Sequence, residues 1–395
     1  MFAWLSQWLT QLIRRTPLGW LQLKHDRSRL LVSIGGILFA DSLMFMQLGI
    51  MAGLYDTNTM FHRNLNADIV LLSTQAQTLI NLSTFPRRRI FQARDCEGVG
   101  DAQGCYLTFA VWRNPDTKEK TNMLIVGVNP SDQTFTLPEV NAQLDTIKIP
   151  EHFLFDRGTR GNYKRTLELV SAKQPVSSEI EGRKVRLAGL FTLGASFATD
   201  GALFTSSENF LRLFPKRTPG QLSLGLVRLK PGYDSGVVAA QLNKQLPADV
   251  RAVTKKGFTD FEINYLDSSS PISVVFGMGT IIGFIIGIVM VYQVLSTDVN
   301  DHLAEYATFK AMGYSNWYLY GILVEEIAIL STIGFLPSVL VAMALYKVLE
   351  VVGSLPIYMP FERLIFVYSL TLVMCGVSAF IASRKLRTAD PAEIF

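Results

Sequence analysis

The run PISVVFGMGTIIGFIIGIVMVYQVLST, residues 271–297, holds no acidic or basic side chain. At 1.5 Å per residue, a helix of about 20 residues crosses a hydrocarbon core of about 30 Å. Core helices of soluble proteins rarely run this far without charge. Three further stretches share the character. Residues 30–54 contain only Asp41, residues 319–346 only Glu325 and Glu326, and residues 364–383 none. Four transmembrane helices are expected.

The remaining composition says what lies between them. The 395 residues are 49% hydrophobic and 18% charged, where an ordinary soluble chain carries about 25% charge, and mean hydropathy is +0.26. This excludes a disordered chain and fits a wholly soluble enzyme poorly. Residues 55–270 hold 26 of the 37 Lys+Arg and 22 of the 33 Asp+Glu. They are expected to form a water-exposed domain large enough for one or two cores. A net charge of +4 is too mild to point to nucleic acid.

Basic residues flank the outer ends of the first and last spans: Arg14, Arg15, Lys24, Arg27 and Arg29, then Arg384, Lys385 and Arg387. Lys and Arg near membrane ends mark the cytoplasmic side. Both termini are then inside and residues 55–270 outside. Before the first span, Phe2, Leu5, Leu9 and Leu12 share a helical face beside Trp4 and Trp8. That pattern predicts an amphipathic helix in the cytoplasmic interface over residues 1–29. The length of the polar lead-in and of the apolar run favours an uncleaved anchor over a signal peptide.

Within the exterior segment, strands are expected at 67–72, 106–112, 123–128, 224–229 and 250–254, and helices around 79–91 and 237–245. Two β-α-β units, about 55–135 and 219–270, would bracket a Gly-rich inserted lobe at about 136–218. Cys96 and Cys105 flank a Gly-rich stretch of eight residues. In an oxidising compartment this reads as a small disulfide-closed loop, with two free thiols the other reading.

Catalytic and nucleotide signatures do not occur in these residues. His25, His62, His152 and His302 are too scattered for a zinc site, and there is no GxxxxGK[ST] phosphate loop or GxSxG elbow. No cofactor, metal or catalytic residue is assigned. Gly279, Gly283 and Gly287 recur every four residues in the second span. Such a row lets another helix approach closely, and it reads as a dimer interface with a second copy of the chain, packing against another span being the other reading. Asp41, Glu325 and Glu326 are intramembrane carboxylates, each costing roughly 2.5–3.5 kcal/mol when charged at a helix centre. For Asp41 a structural hydrogen bond is preferred to a proton relay. Between the second and third spans, Glu305 opens a short helical run that Gly313 can end.

That loop, Glu305-Tyr306-Ala307-Thr308-Phe309-Lys310-Ala311-Met312-Gly313-Tyr314, resembles the coupling helix of MacB/FtsX-type ABC-transporter permeases, roughly R-E-I-G-x-x-[RK]-A-x-G-[AY]. Glu305, Ala307, Lys310, Ala311 and Gly313 fall on its positions, with Met312 and Tyr314 beside them. Glu326 resembles the family's membrane glutamate, and Asp390-Pro391-Ala392-Glu393 its closing motif. The segment from Pro17 to Leu23, the span around Phe39-Ala40-Asp41 and the loop itself are most similar to the DevC-type group, with Phe309 where Leu is commoner.

The resemblance implies an α+β membrane protein with four FtsX-like transmembrane helices, an N-terminal amphipathic helix and a two-lobed α/β periplasmic domain. The segments would be spans at 30–54, 271–297, 319–346 and 364–383, a periplasmic domain at 55–270, a coupling loop at 298–318, a periplasmic loop at 347–363 and a cytoplasmic tail at 384–395. It further implies a homodimeric permease in the inner (plasma) membrane. A separate ATPase dimer would bind ATP and Mg and drive it through the coupling helix. A periplasmic adaptor and a TolC-like outer-membrane channel would complete an exporter of glycolipid or another hydrophobic envelope substrate. An FtsX-like transmitter acting on a cell-wall hydrolase and a lipoprotein-extraction permease are the alternatives.

Overall fold

A computed structural model describes residues 27–388, except 197, 270, 302–304, 306–307, 309–311, 315 and 354–355. The expected interfacial helix therefore lies, up to residue 26, outside the described residues, as does the tail motif at 390–393. The chain divides into two units, Leu54–Pro271 and the remainder.

Four helices in the described residues are long and apolar enough to cross a membrane. They are α1 (Arg27–Arg63), α8 (Ile272–Asp301), α9 (Asn316–Gly353) and α10 (Phe361–Thr388). Small residues let them pack closely. A Cβ at Gly334 of α9 would lie 2.7 Å from Ile37 of α1. Hydroxyls supply the polar contacts: Ser378 of α10 donates to the Ile288 carbonyl of α8 at 2.9 Å. Arg29 and Asp301 form an ion pair between the start of α1 and the end of α8.

The unit Leu54–Pro271 is built on β1 (Ile69–Ser73), β3 (Val99–Arg113), β4 (Lys120–Val128), β5 (His152–Asp156), β6 (Val176–Ile180), β7 (Arg183–Phe191), β8 (Gly201–Ser206), β10 (Leu224–Leu229) and β11 (Val250–Thr254). They form a nine-stranded sheet in the order β11-β1-β10-β3-β4-β8-β5-β7-β6. Strands β2 (Phe85–Pro86) and β9 (Gln221–Leu222) make a separate pair. The helices are α2 (Arg88–Arg94), α3 (Pro138–Asn141), α4 (Lys164–Ser171), α5 (Ser207–Leu213), α6 (Ser235–Gln245) and α7 (Lys255–Ser269).

The 15-residue β3 joins the two halves of this sheet. Its first part pairs with β10 and its second with β4, while Trp112 and Arg113 also pair with Ile180 and Glu179 of β6. That last pairing closes β3, β4, β8, β5, β7 and β6 into a ring. Side chains alternate between two cores, as a strand period of two requires. Ile69 and Leu71 face one core with Ile90, Tyr106 and Phe210, whereas Val70 and Leu72 face the other with Cys105, Phe135 and Phe258. Burial on both faces explains why β1 reads as a continuous apolar run.

Two expectations are corrected here. The stretch 79–91 is not one helix: Pro86 cannot donate a backbone hydrogen bond, residues 85–86 pair with β9, and only Arg88–Arg94 is helical. Cys96 and Cys105 are free and buried. The glycines between them do not make a loop, because residues 99–105 already belong to β3. A strand of seven residues extends about 20 Å, far beyond the roughly 7 Å that a disulfide tolerates between Cα atoms. The two thiols also point into different cores. Gly104 is needed because Leu222 packs where its Cβ would stand.

Arg89 of α2, 5% exposed, binds both carboxylate oxygens of Asp249, with Nε 2.9 Å from Oδ1 and Nη2 2.7 Å from Oδ2. This hydrogen bonding holds the Asp249 carboxyl below its ordinary value. A depressed carboxyl stabilises the fold above its unfolded value of about 3.9 and loses that contribution as pH falls through the folded value. Thermal unfolding of the full chain followed from pH 7 to pH 3 is therefore expected to show an acid-side loss that Asp249→Asn reduces, by about 1 kcal/mol for so exposed a carboxylate.

Candidate functional site

The loop after α8 holds the residues that resemble a coupling helix. Glu305 and Thr308 are helical and exposed. The Met312 amide donates to the Thr308 carbonyl at 3.0 Å, a helical bond, and Gly313 then takes φ +89°. This is the left-handed conformation that ends helices and that glycine adopts without strain. Met312 is 60% exposed and Tyr314 46%. An apolar side chain and an aromatic thus stand in the open on either side of the turn. Ala307, Lys310 and Ala311 lie outside the described residues.

The glycine row of α8 does not offer the expected free face for a second copy. A Cβ at Gly279 would meet the Gln47 side chain of α1. One at Gly283 would lie 3.3 Å from Met44 Cγ, and one at Gly287 would strike Met374 of α10 and come within 2.9 Å of Ala40 Cβ. The row is consumed by α1 and α10 of the same chain, so Gly279, Gly283 and Gly287 are intramolecular packing positions. Sequence spacing shows that a helix approaches such a row but not which helix.

Asp41 is fully buried. Its Oδ1 accepts from Thr371 Oγ1 of α10 at 2.8 Å and its Oδ2 from Ser338 Oγ of α9 at 3.2 Å. One carboxyl thus ties the first span to the third and fourth. Ser338 follows Pro337, which stands inside α9. Glu326 is 1% exposed and, among the described residues, its carboxyl oxygens have no hydrogen-bond partner. Asp298 of α8 is also buried, and Glu325 is half-buried. The described residues contain no cluster suited to a metal ion.

Sequence reading missed a buried pair in the exterior unit. His62, near the end of α1, has its Nε2 3.6 Å from Glu262 Oε2 on α7, and both side chains are almost fully buried. Glu262 Oε2 also accepts the Leu79 amide at 2.9 Å. The His62 ring lies 4.3 Å, centroid to centroid, from Phe258. Tyr55 and Asp267 bond between the same two helices. The two residues of the pair stand far apart in sequence, and no local signal connects them.

Comparison with known proteins follows this geometry. Residues 277–391 match the family described as FtsX-like permease C-terminal. No curated protein matches the chain. Among solved structures, the periplasmic region of MacB from Actinobacillus actinomycetemcomitans is similar over 51% of this chain and 94% of its own, at 8% identity and a TM-score of 0.34. The extracellular domain of the noncanonic ABC-type transporter YknZ from Gram-positive bacteria is similar over 48% and 100%, at 14% identity and 0.30. A domain of a putative permease protein from Porphyromonas gingivalis is similar over 49% and 89%, at 11% and 0.31. The matched residues 277–391 take in most of α8, the loop that turns at Gly313, α9 and all of α10, so this part of the chain, with three of its four helices long and apolar enough to cross a membrane, is similar to the FtsX-like permease C-terminal family.

Proposed function

We propose that the chain is the membrane subunit of an ATP-driven exporter whose ATPase is a separate subunit. In this reading two copies pair, their 298–318 loops sit on an ATPase dimer in the cytoplasm, and both termini are cytoplasmic. ATP binding closes the ATPases, the loops carry that movement into the spans, and the exterior domains pass it to a periplasmic adaptor and an outer-membrane channel. The cargo is a glycolipid or another hydrophobic envelope component, as in the DevC-type group that the sequence resembles.

The single observation that carries this reading is the FtsX-like match over residues 277–391, which includes the exposed loop around Gly313. The motor is assigned to another subunit because the sequence resembles the DevC-type permeases. The test is purification of the full chain from its native membrane in mild detergent, with identification of what accompanies it. An ABC ATPase together with an adaptor supports the exporter. An ATPase together with a cell-wall hydrolase and no adaptor would replace it with the signalling alternative.

A further inference from the structure

The exterior unit has a cleft of about 380 Å³ between the start of β7 and α5. Its apolar floor includes Phe153, Val185 and Leu213, all buried. Arg183, Lys184 and Arg212 line its rim and are exposed. Arg183 Nη1 donates to the Arg212 carbonyl at 2.8 Å, which holds one guanidinium against the last turn of α5. Glu151 is the one acidic lining residue.

These cations differ from others on the same unit. Arg113 pairs with Glu179, Arg157 with Glu139, Arg160 with Asp200 and Arg228 with Asp101. Among the described residues, no carboxylate pairs with Arg183, Lys184 or Arg212. Three cations against the single carboxylate of Glu151 leave a net positive rim around a recess with an apolar floor. A guanidinium fork matches a carboxylate in two parallel hydrogen bonds. Ile149, 50% exposed next to Pro150 of the lining, extends the apolar ground.

We propose that this cleft docks an acidic, partly apolar segment of a partner protein on the exterior side. The cations stand on two elements around a recess, which a chain segment can enter and a flat bilayer surface cannot. The proposal rests on the exporter reading only in requiring a partner outside the membrane. Opposite charge around the recess would steer that partner and fix its register.

The test uses the full chain in nanodiscs and two labelled peptides of identical length, one alternating Glu and Leu and the other Lys and Leu. The Glu-Leu peptide is expected to bind the native chain. The double variant Arg183→Glu/Arg212→Glu, with thermal unfolding unchanged, is expected to bind it at least about tenfold more weakly and to gain affinity for the Lys-Leu peptide. Arg113→Glu, at a cation already paired, is expected to leave binding unchanged. Equal affinity of native and double-variant chains would overturn the proposal. So would binding of anionic phosphatidylglycerol vesicles that depends on the same two arginines while peptide binding does not. Recovery of the ATPase with the double variant keeps this outcome separate from that of the exporter reading.

Discussion

Glu262→Leu is expected to destabilise the exterior unit by about 3 kcal/mol, read as a fall in the unfolding midpoint of the full chain. Glu262 accepts the Leu79 amide at 2.9 Å and faces His62 at 3.6 Å. Leucine leaves that amide buried and unsatisfied, at about 1–3 kcal/mol, and strips His62 of its carboxylate neighbour. Two companions separate these causes. Glu262→Gln retains an oxygen for Leu79 and is expected to lose only about 1 kcal/mol. His62→Phe puts a ring of similar shape beside Phe61 and Phe258 and removes nitrogens that have no hydrogen-bond partner. It takes the imidazole away from Glu262 but leaves the Leu79 bond to that carboxylate intact, so it is expected to cost less than Glu262→Leu. A neutral Glu262→Leu would contradict this assignment.

Gly287→Leu carries the second large effect. The new side chain would drive into Met374 and the Ala40 methyl, and overpacking a close-packed interior costs about 1–3 kcal/mol or more. The expected result is a destabilised four-helix unit, seen as a lowered midpoint and reduced yield in detergent. Met374→Ala in the same chain opens the space and is expected to recover most of the loss. Recovery through Met374 is the diagnostic, because a residue used only between copies would gain nothing from it. Loss of dimer with an unchanged midpoint, and no recovery, would return the glycine row to an intermolecular interface.

The membrane half was legible because long charge-free runs rarely occur outside a bilayer. Residues 271–297 sit inside α8 but for the first, and residues 364–383 lie within α10. Strands at Leu224–Leu229 and Val250–Thr254 were equally plain, each being short, apolar and bounded by turn residues. Glycine misled where it serves close approach rather than turning. Gly100 and Gly104 are strand positions, Gly104 pressed by Leu222, and reading them as a loop created a disulfide that the strand forbids. The row from Gly279 to Gly287 was legible as a seam but not as to its partner. Contacts at long range were invisible. Asp41 meets Ser338 and Thr371 across 297 and 330 residues, and neither hydroxyl differs in sequence from any other in a span. The helix end at Gly313 was the most local feature, since one left-handed glycine after a helical bond marks it.

In the proposed exporter, the loop ending at Gly313 is where the ATPase subunit takes hold of the chain. Met312, 60% exposed beside that turn, can be changed without disturbing a buried contact. The direct measurement is the amount of ATPase recovered with the full chain when Met312→Glu is compared with the native residue at equal thermal stability. The account predicts that recovery falls at least about tenfold, as expected when an unpaired charge is forced into an apolar contact. Undiminished recovery with an unaltered ATPase rate would contradict it.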